Sequence, residues 1–228
     1  MKHQVKKYCD VIDNFFDDEY LNIFYWETIK EMPVSASLTT NSFGYPYRSG
    51  KNNLILGKTI FLRGANNNDI YTANPIADIN NIRVFDSLFP KFSFMWQGIE
   101  QNFVGPTFLT NIQVNLQMIG MDSDIHTDSQ ISEAKTCLIY PNNKWEKEWG
   151  GDLLLYNTEQ TEIVETINIK PGRIVIFNST VPHIGLPPLV KTVTRYSIAF
   201  RYYPISYVLG ENKKEQYVDN TTNNIAYK

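Results

Sequence analysis

The sequence predicts a mainly β fold: an antiparallel barrel or jelly roll with flanking helices. Beyond Phe103 the chain consists of short strand-like runs that are separated by turn signals such as Gly150-Gly151 and Pro171-Gly172. Within the run 110–119, residues 111–118 alternate between polar and apolar, which is typical of a half-buried strand. Many short strands at this spacing favour an antiparallel barrel over a parallel sheet.

We predict six strands in this half. They cover residues 110–119, 136–140, 152–156, 162–169, 173–177 and 193–203. At 228 residues the chain fits one domain. We expect residues 1–100 to supply helices and loops that support the barrel, 101–204 to form the jelly-roll core, and 205–228 to be a polar tail.

The N-terminal half carries helix signals. A short strand is expected over residues 8–16, and Asp17 is a suitable N-cap for the amphipathic run that follows. A second helix is expected to open at Asn74-Pro75 and to end at Pro90. The irregular segment 35–73 contains one hairpin and is either a lid over a site or a surface insertion.

Composition and charge restrict the binding partners and the cellular compartment that we expect for this protein. The formal net charge is -3, so no basic field suggests nucleic acid, and no binding to it is expected. Cys9 and Cys137 are interpreted as reduced thiols. The chain begins without an apolar signal segment and has no run long enough to cross a membrane, so a cytoplasmic protein without membrane contact is the expectation.

Three residues suggest a metal site. His126 and Asp128 are two residues apart, so in an extended segment they point to the same face. With His183 they would give two imidazoles and one carboxylate, a set that suits non-haem Fe(II) and leaves coordination positions open. Each histidine taken alone is more often an ordinary hydrogen-bonded residue.

Arg195 lies in the last predicted strand, 12 residues after His183. An arginine that points into a barrel is costly unless a carboxylate meets it. A dicarboxylate co-substrate would supply that carboxylate. The alternative is an arginine on the surface of the strand, where solvent or a neighbouring side chain satisfies it.

Four blocks, in order, resemble the prolyl 4-hydroxylase-like branch of the Fe(II)/2-oxoglutarate-dependent dioxygenases. They are Gly120 before His126-Thr127-Asp128; residues 136–153 with Gly150-Gly151; residues 171–177 before His183; and Arg195-Tyr196-Ser197-Ile198-Ala199. The resemblance covers the C-terminal half and implies a double-stranded β-helix (jelly-roll, cupin-like) fold. It implies Fe(II) as the metal, 2-oxoglutarate and O2 as co-substrates, and ascorbate as an optional reductant.

The resemblance also assigns roles to residues. His126, Asp128 and His183 would be the iron ligands, and Arg195 would anchor the C5 carboxylate of 2-oxoglutarate. Tyr140 would lend its hydroxyl to the same carboxylate, although a tyrosine of the core is the alternative. Gln117 stands where many relatives have a tyrosine, and its amide would lie near the co-substrate.

Two further departures concern the substrate. Arg201 stands where prolyl hydroxylases that act on proteins often carry an aromatic residue, and by strand parity it shares a face with Arg195. It would either meet an anionic substrate group or lie in solvent at the rim. Glu133 stands where some prolyl hydroxylases place a basic residue.

The expected activity is hydroxylation of an unidentified substrate, with a prolyl residue in a peptide or protein as one candidate. A small metabolite or free amino acid is the alternative within the enzyme class. A jelly-roll module that binds a metal without turnover is the alternative outside it. Nucleic acid demethylation is disfavoured, because the chain has no basic stripe interleaved with aromatic residues.

Overall fold

The computed structural model describes residues 1–33, 35–38, 54–62 and 89–209. Within these ranges, eleven strands form two antiparallel sheets. The strands are β1 (Lys2–Val5), β2 (Cys9–Asp13), β3 (Ser35–Leu38), β4 (Leu54–Leu62), β5 (Thr107–Gln117), β6 (Lys135–Ile139), β7 (Leu153–Tyr156), β8 (Ile163–Ile167), β9 (Ile174–Asn178), β10 (His183–Gly185) and β11 (Arg195–Pro204). The larger sheet has the order β1-β2-β9-β6-β11-β5-β4-β3, and the smaller one has the order β10-β7-β8.

The predicted jelly-roll architecture is confirmed. Each strand predicted from sequence after Phe103 is present, with bounds that differ by a few residues. The alternation in β5 and β11 divides these strands between two hydrophobic layers, because successive side chains point to opposite faces. β10 has only three residues, and its existence depends on pairing with β7 rather than on local sequence.

Two helices cover one face of the larger sheet. They are α1 (Asp18–Phe24), which continues as a π turn (Tyr25–Ile29), and α2 (Pro90–Ile99), which continues as a π turn (Glu100–Val104). The short α3 (Ile205–Leu209) follows β11 and packs separately, against Phe108. Asp17 caps α1 as predicted, and its carboxylate accepts a 2.7 Å hydrogen bond from the Tyr20 N–H. The Trp96 ring of α2 stacks on Phe200 of β11 at 4.9 Å between centroids, which fixes this layer to the sheet.

The other face of the larger sheet packs against the smaller sheet. Leu138 and Ala199 from the larger sheet meet Leu153 and Leu155 of β7 in this second core, to which Tyr140 also belongs. The polar site lies on this inner face.

Cys9 and Cys137 are buried free thiols, as predicted. No helix among the described residues has the length and apolar character that a membrane crossing requires.

The prediction for Pro90 was wrong. Pro90 was expected to end a helix, but it is the first residue of α2. Proline suits this position, because its missing N–H would have no partner there and its φ is already helical. The helix expected to open at Asn74-Pro75 lies outside the described residues.

The segment 35–73 is described only in part. Its two described pieces, β3 and β4, form the expected antiparallel pair at the edge of the larger sheet. The lid function remains a prediction. In the tail predicted at 205–228, residues 205–209 form α3, whose Ile205 and Val208 pack on Phe108, and residues 210–228 lie outside the described ranges.

Candidate active site

Two histidines that are distant in sequence lie directly opposite each other. The His126 N–H donates to the His183 carbonyl at 3.0 Å, and the His183 N–H donates to the His126 carbonyl at 2.8 Å. Residues paired in this way on antiparallel segments project their side chains to the same face. The two imidazole rings are consequently 4.4 Å apart between centroids.

Asp128 joins the pair from the same segment as His126. Its N–H donates to the Ser179 carbonyl at 2.9 Å, which keeps the segment extended beside the end of β9. In an extended segment, positions two apart share a face, as the His-x-Asp spacing predicted. One potential ligand atom from each of His126, Asp128 and His183 lies within 4.8 Å of the others.

Hydrogen bonds leave one nitrogen of each imidazole free for a metal. His126 Nδ1 lies 2.8 Å from the Asp124 carbonyl, and His183 Nδ1 lies 2.9 Å from the Val181 carbonyl. A carbonyl only accepts, so each Nδ1 carries the proton and each Nε2 keeps its lone pair. Burial lowers the pKa of His183 to about 4, so this ring is neutral at physiological pH.

The Asp128 carboxylate is held at both oxygens. The Thr136 hydroxyl donates to Oδ2 at 2.7 Å, and Thr136 Oγ1 lies 2.8 Å from the Ser179 hydroxyl. Arg201 Nη2 lies 2.6 Å from Oδ1. Burial alone would raise the pKa of Asp128, but the Arg201 guanidinium, with the hydrogen bond from Thr136, holds it well below its ordinary value. The group is therefore an ionised, oriented carboxylate.

Arg195 is buried on the inner face, with only 3% of its surface exposed. Its Nε donates to the Gly151 carbonyl at 3.0 Å, and its Nη1 donates to Gln117 Oε1 at 2.7 Å. No carboxylate of the described chain lies within ion-pair distance of this guanidinium. Burial lowers the pKa of Arg195, yet an arginine remains charged in proteins. The site thus contains a buried cation without an anion.

Tyr140 lies beside that cation. The Arg195 guanidinium carbon is 5.3 Å from the centre of the Tyr140 ring. The Tyr140 hydroxyl is buried and has no hydrogen-bond partner among the described residues. Burial raises the pKa of this phenol, so it is a protonated donor. A buried donor without a partner is costly, and it is expected where a ligand completes the contact.

The guanidinium also adjoins the histidine strand. A Cβ built on Gly185, two residues after His183, would lie 2.8 Å from Arg195 Nη2. The Gln117 side-chain amide donates to the Gly185 carbonyl at 3.0 Å. Gln117 thus ties Arg195 to the strand that carries His183.

The residues present fit both groups that the sequence implied. Two imidazoles, each with Nδ1 bound to a carbonyl and Nε2 open, and one ionised carboxylate form a donor set for Fe(II). The unpaired Arg195 guanidinium and the unpartnered Tyr140 hydroxyl suit one carboxylate of a dicarboxylic acid.

Sequence reasoning did not assign roles to Thr136 and Ser179, which support Asp128. No local motif marks them. The informative signal was strand register: Thr136 pairs with Arg201 across β6 and β11, so their side chains share a face with the metal-site residues. Glu133 is exposed, and its carboxylate accepts a hydrogen bond from the Ser132 hydroxyl at 2.6 Å.

Two imidazoles and one carboxylate on the inner face of a jelly roll are the donor set expected of a non-haem Fe(II) site. Comparison with known proteins points to the same class. Residues 112–203 match the model of the 2OG-Fe(II) oxygenase superfamily. The matched region begins in β5 and ends in β11, so it contains all three residues of the triad together with Arg195, Tyr140 and Arg201.

Solved structures share this fold. A prolyl-4-hydroxylase from Pseudomonas putida is 15% identical, with a TM-score of 0.52, over 87% of this chain and 94% of that one. A Trichoplax adhaerens prolyl hydroxylase, in complex with a peptide fragment of the hypoxia inducible factor oxygen degradation domain, is 17% identical, with a TM-score of 0.50, over 87% and 84%.

The fold also serves another reaction. A non-haem α-ketoglutarate-dependent epimerase from nogalamycin biosynthesis is 10% identical, with a TM-score of 0.51, over 85% of this chain and 76% of that one. None of the curated proteins matches the chain significantly by sequence. At these identities the structural likeness establishes the fold, and the substrate has to be argued from the site.

Proposed function

We propose that this oxygenase hydroxylates a C–H bond of its substrate, with His126, Asp128 and His183 as the ligands of Fe(II). We further propose that Arg195 and Tyr140 bind the C5 carboxylate of 2-oxoglutarate. The observation that supports both assignments is that the triad, with its ionised Asp128, shares the inner face with Arg195, a buried arginine that has no carboxylate partner among the described residues.

The residues of the chain would supply geometry and charge. The Nδ1–H groups of His126 and His183 bind backbone carbonyls, which orients both Nε2 lone pairs toward one point. Thr136 and Arg201 hold Asp128 in one orientation. Arg195, held by Gln117 and Gly151, would fix the remote end of the co-substrate, so that its keto acid end faces the triad.

The bound iron supplies the oxidising chemistry, in which O2 places one oxygen atom in the succinate formed from 2-oxoglutarate and the other in the substrate, with release of CO2. Part of the inner face is lined by apolar side chains of both sheets, which would limit the access of water from that side. A complete His-Asp-His set favours hydroxylation over halogenation, because halogenation needs the carboxylate position free for a halide.

For the substrate, a prolyl residue in a peptide is one candidate, because two solved structures of this fold are prolyl hydroxylases. A small metabolite or free amino acid is the second candidate. It is favoured by a specific observation: Arg201, which contacts Asp128, stands where prolyl hydroxylases that act on proteins often carry an aromatic residue.

Stepwise binding without O2 tests the proposal. Fe(II) is titrated first and 2-oxoglutarate second, with calorimetric detection, into the wild type, Arg195→Gln and the exposed control Lys191→Gln. We expect Arg195→Gln to weaken 2-oxoglutarate binding by about a hundredfold, since a buried charge contact is lost, and to leave iron binding unchanged. Lys191→Gln should behave as the wild type.

Equal losses of iron and 2-oxoglutarate in Arg195→Gln would show that this arginine is structural. A wild-type protein that binds iron but not 2-oxoglutarate would instead support the module that holds a metal without turnover. Succinate release across peptides and metabolites then identifies the substrate.

A further inference from the structure

Arg201 lies beside the metal-site residues and not in solvent at the rim. It is on β11, between Thr136 of β6 and Asn111 of β5 in the strand register. Three quarters of its side chain is buried, with 25% exposed. Its strongest contact is the 2.6 Å ion pair between Nη2 and Asp128 Oδ1.

The two oxygens of Asp128 face different partners. Oδ2 lies 3.6 Å from His183 Nε2, on the side where the imidazole lone pairs converge. Oδ1 faces Arg201. A cation held by the imidazoles would therefore take Oδ2, and the Arg201 guanidinium would lie one carboxylate away from it.

Loading the site changes the charge balance around Arg201. In the protein alone, Asp128 neutralises Arg201. With a divalent ion and 2-oxoglutarate bound, the charge of the ion is matched by Asp128 and the keto acid carboxylate, and Arg195 is matched by the other carboxylate. Arg201 keeps its contact with Asp128 Oδ1, but the loaded site then carries one positive charge more than its negative charges, and no other described carboxylate lies within ion-pair distance of Arg201. A largely buried excess positive charge is unfavourable, so a further anion is expected to complete the site.

The wall next to Arg201 is polar. Asn111, Gln113 and Asn115 of β5 share the inner face of the sheet with it. Gln113 Oε1 lies 3.4 Å from Arg201 Nη1, and the Gln113 amide donates to Asn115 Oδ1 at 2.9 Å. Among the described residues, the buried Asn111 side-chain oxygen and the buried Arg201 Nε have no hydrogen-bond partner. Such a wall suits a ligand rich in hydrogen-bonding groups better than an apolar ring.

We propose that Arg201 binds a carboxylate of the primary substrate, and that this substrate is a small amino or hydroxy acid oxidised close to its carboxylate. The proposal rests on the function proposed above. A carboxylate matches the planar fork of a guanidinium. The closeness of Arg201 to the triad limits the distance between that carboxylate and the carbon that reacts.

Binding to a catalytically inert form tests this. The protein is loaded with Zn(II) and 2-oxoglutarate, and calorimetry measures its affinity for matched pairs: the free amino acids and common α-hydroxy acids, each against its primary amide. We expect at least one acid to bind on the order of tenfold or more tighter than its amide. In Arg201→Gln that preference should vanish, and in Arg201→Lys, which keeps the charge, part of it should remain.

Three results would overturn the inference. The first is a panel in which no acid binds. The second is an acid preference that survives in Arg201→Gln with zinc and 2-oxoglutarate affinity intact. The third is a preference that survives while zinc and 2-oxoglutarate affinity falls, which would make Arg201 only a positioning residue for Asp128.

The proposed function fails separately, if the wild type binds neither zinc nor 2-oxoglutarate. A product measurement on the Fe(II) form, with the best acid and its amide, gives a second readout: the hydroxylated acid should appear and the hydroxylated amide should not.

Discussion

Gln117 Oε1 accepts a 2.7 Å hydrogen bond from Arg195 Nη1, and the two residues lie directly opposite each other on β5 and β11. The pairing holds the guanidinium without neutralising it, because an amide carries no charge. Arg195 therefore keeps its full charge for a ligand. Gln117 was expected to lie near the co-substrate. Its contact with Arg195 leads us to expect that it acts indirectly, by orienting the guanidinium that would bind the co-substrate.

Two substitutions of Gln117 separate orientation from charge. Gln117→Leu removes the acceptor, and we expect it to weaken 2-oxoglutarate binding by about tenfold, roughly 1.4 kcal/mol, the scale of one lost hydrogen bond to a charged group. Gln117→Glu places an anion on Arg195, and we expect a larger loss because the new carboxylate competes with that of the ligand. Titration of 2-oxoglutarate into zinc-loaded protein measures both. If the two variants lose affinity equally, charge competition is not the cause.

Tyr140→Phe should affect stability and binding in opposite directions. The buried Tyr140 O–H has no acceptor among the described residues, since the adjacent Arg195 can only donate, so its removal should raise the free energy of unfolding of the ligand-free protein by about 1 kcal/mol. The same change should weaken 2-oxoglutarate binding by roughly threefold to tenfold, because a donor to the carboxylate is lost. Denaturant unfolding and calorimetry measure the two effects. A destabilised variant with unchanged 2-oxoglutarate affinity would assign the hydroxyl to the core.

The three histidines provide a matched test of the metal site. His126→Ala and His183→Ala each remove one imidazole of the triad, and we expect Fe(II) or Zn(II) affinity to fall at least about a hundredfold. His3→Ala is the control, since His3 lies on β1 and its ring contacts Phe103 at 5.9 Å, away from the triad. Metal titration measures the three affinities. Comparable losses in all three variants would contradict the assignment.

Asp13 and Arg173 provide a test of the scaffold outside the site. Arg173 donates through Nε and Nη2 to the two oxygens of Asp13, each at 2.7 Å, and both residues are buried. Asp13→Asn leaves a buried guanidinium without its anion, and we expect a loss of about 3 kcal/mol in the free energy of unfolding at pH 7. Lys170→Gln is the control. Lys170 is 60% exposed at 3.4 Å from Asp13, so its loss should cost less than about 1 kcal/mol.

The Asp13 pair also predicts a pH dependence. The hydrogen bond from Arg173 lowers the pKa of Asp13 below 3.8, so its folded-state pKa lies under its unfolded value. A carboxyl of this kind stabilises the fold above pH 3.8 and loses that effect as the pH falls through the folded-state pKa. The stability difference between wild type and Asp13→Asn should therefore be constant near neutrality and narrow below pH 3.8. Unfolding curves over this range measure it, and a difference that widens in acid would contradict the assignment.

Local sequence determined most of the strands. Period-two alternation specifies which residues of β5 face each side, because a strand has only two faces. The turn at Pro171-Gly172 was also readable, and Gly172 adopts a φ of +66°, which other residues rarely take. Helix ends were less certain: proline is favoured both at the first helical position and just beyond a helix, so Pro90 was assigned to the wrong end.

The chain itself determined that two imidazoles, a carboxylate and a strand arginine were available, because the His-x-Asp spacing needs only an extended backbone. Only the tertiary structure decided that His183 lies opposite His126 and that Arg201 pairs with Asp128. These contacts join residues 57 and 73 positions apart, and the register of strands that bring them together is set by packing of the two sheets. Long-range pairing of this kind leaves no local pattern in the sequence, which is why the position of Arg201 had to be seen in the fold.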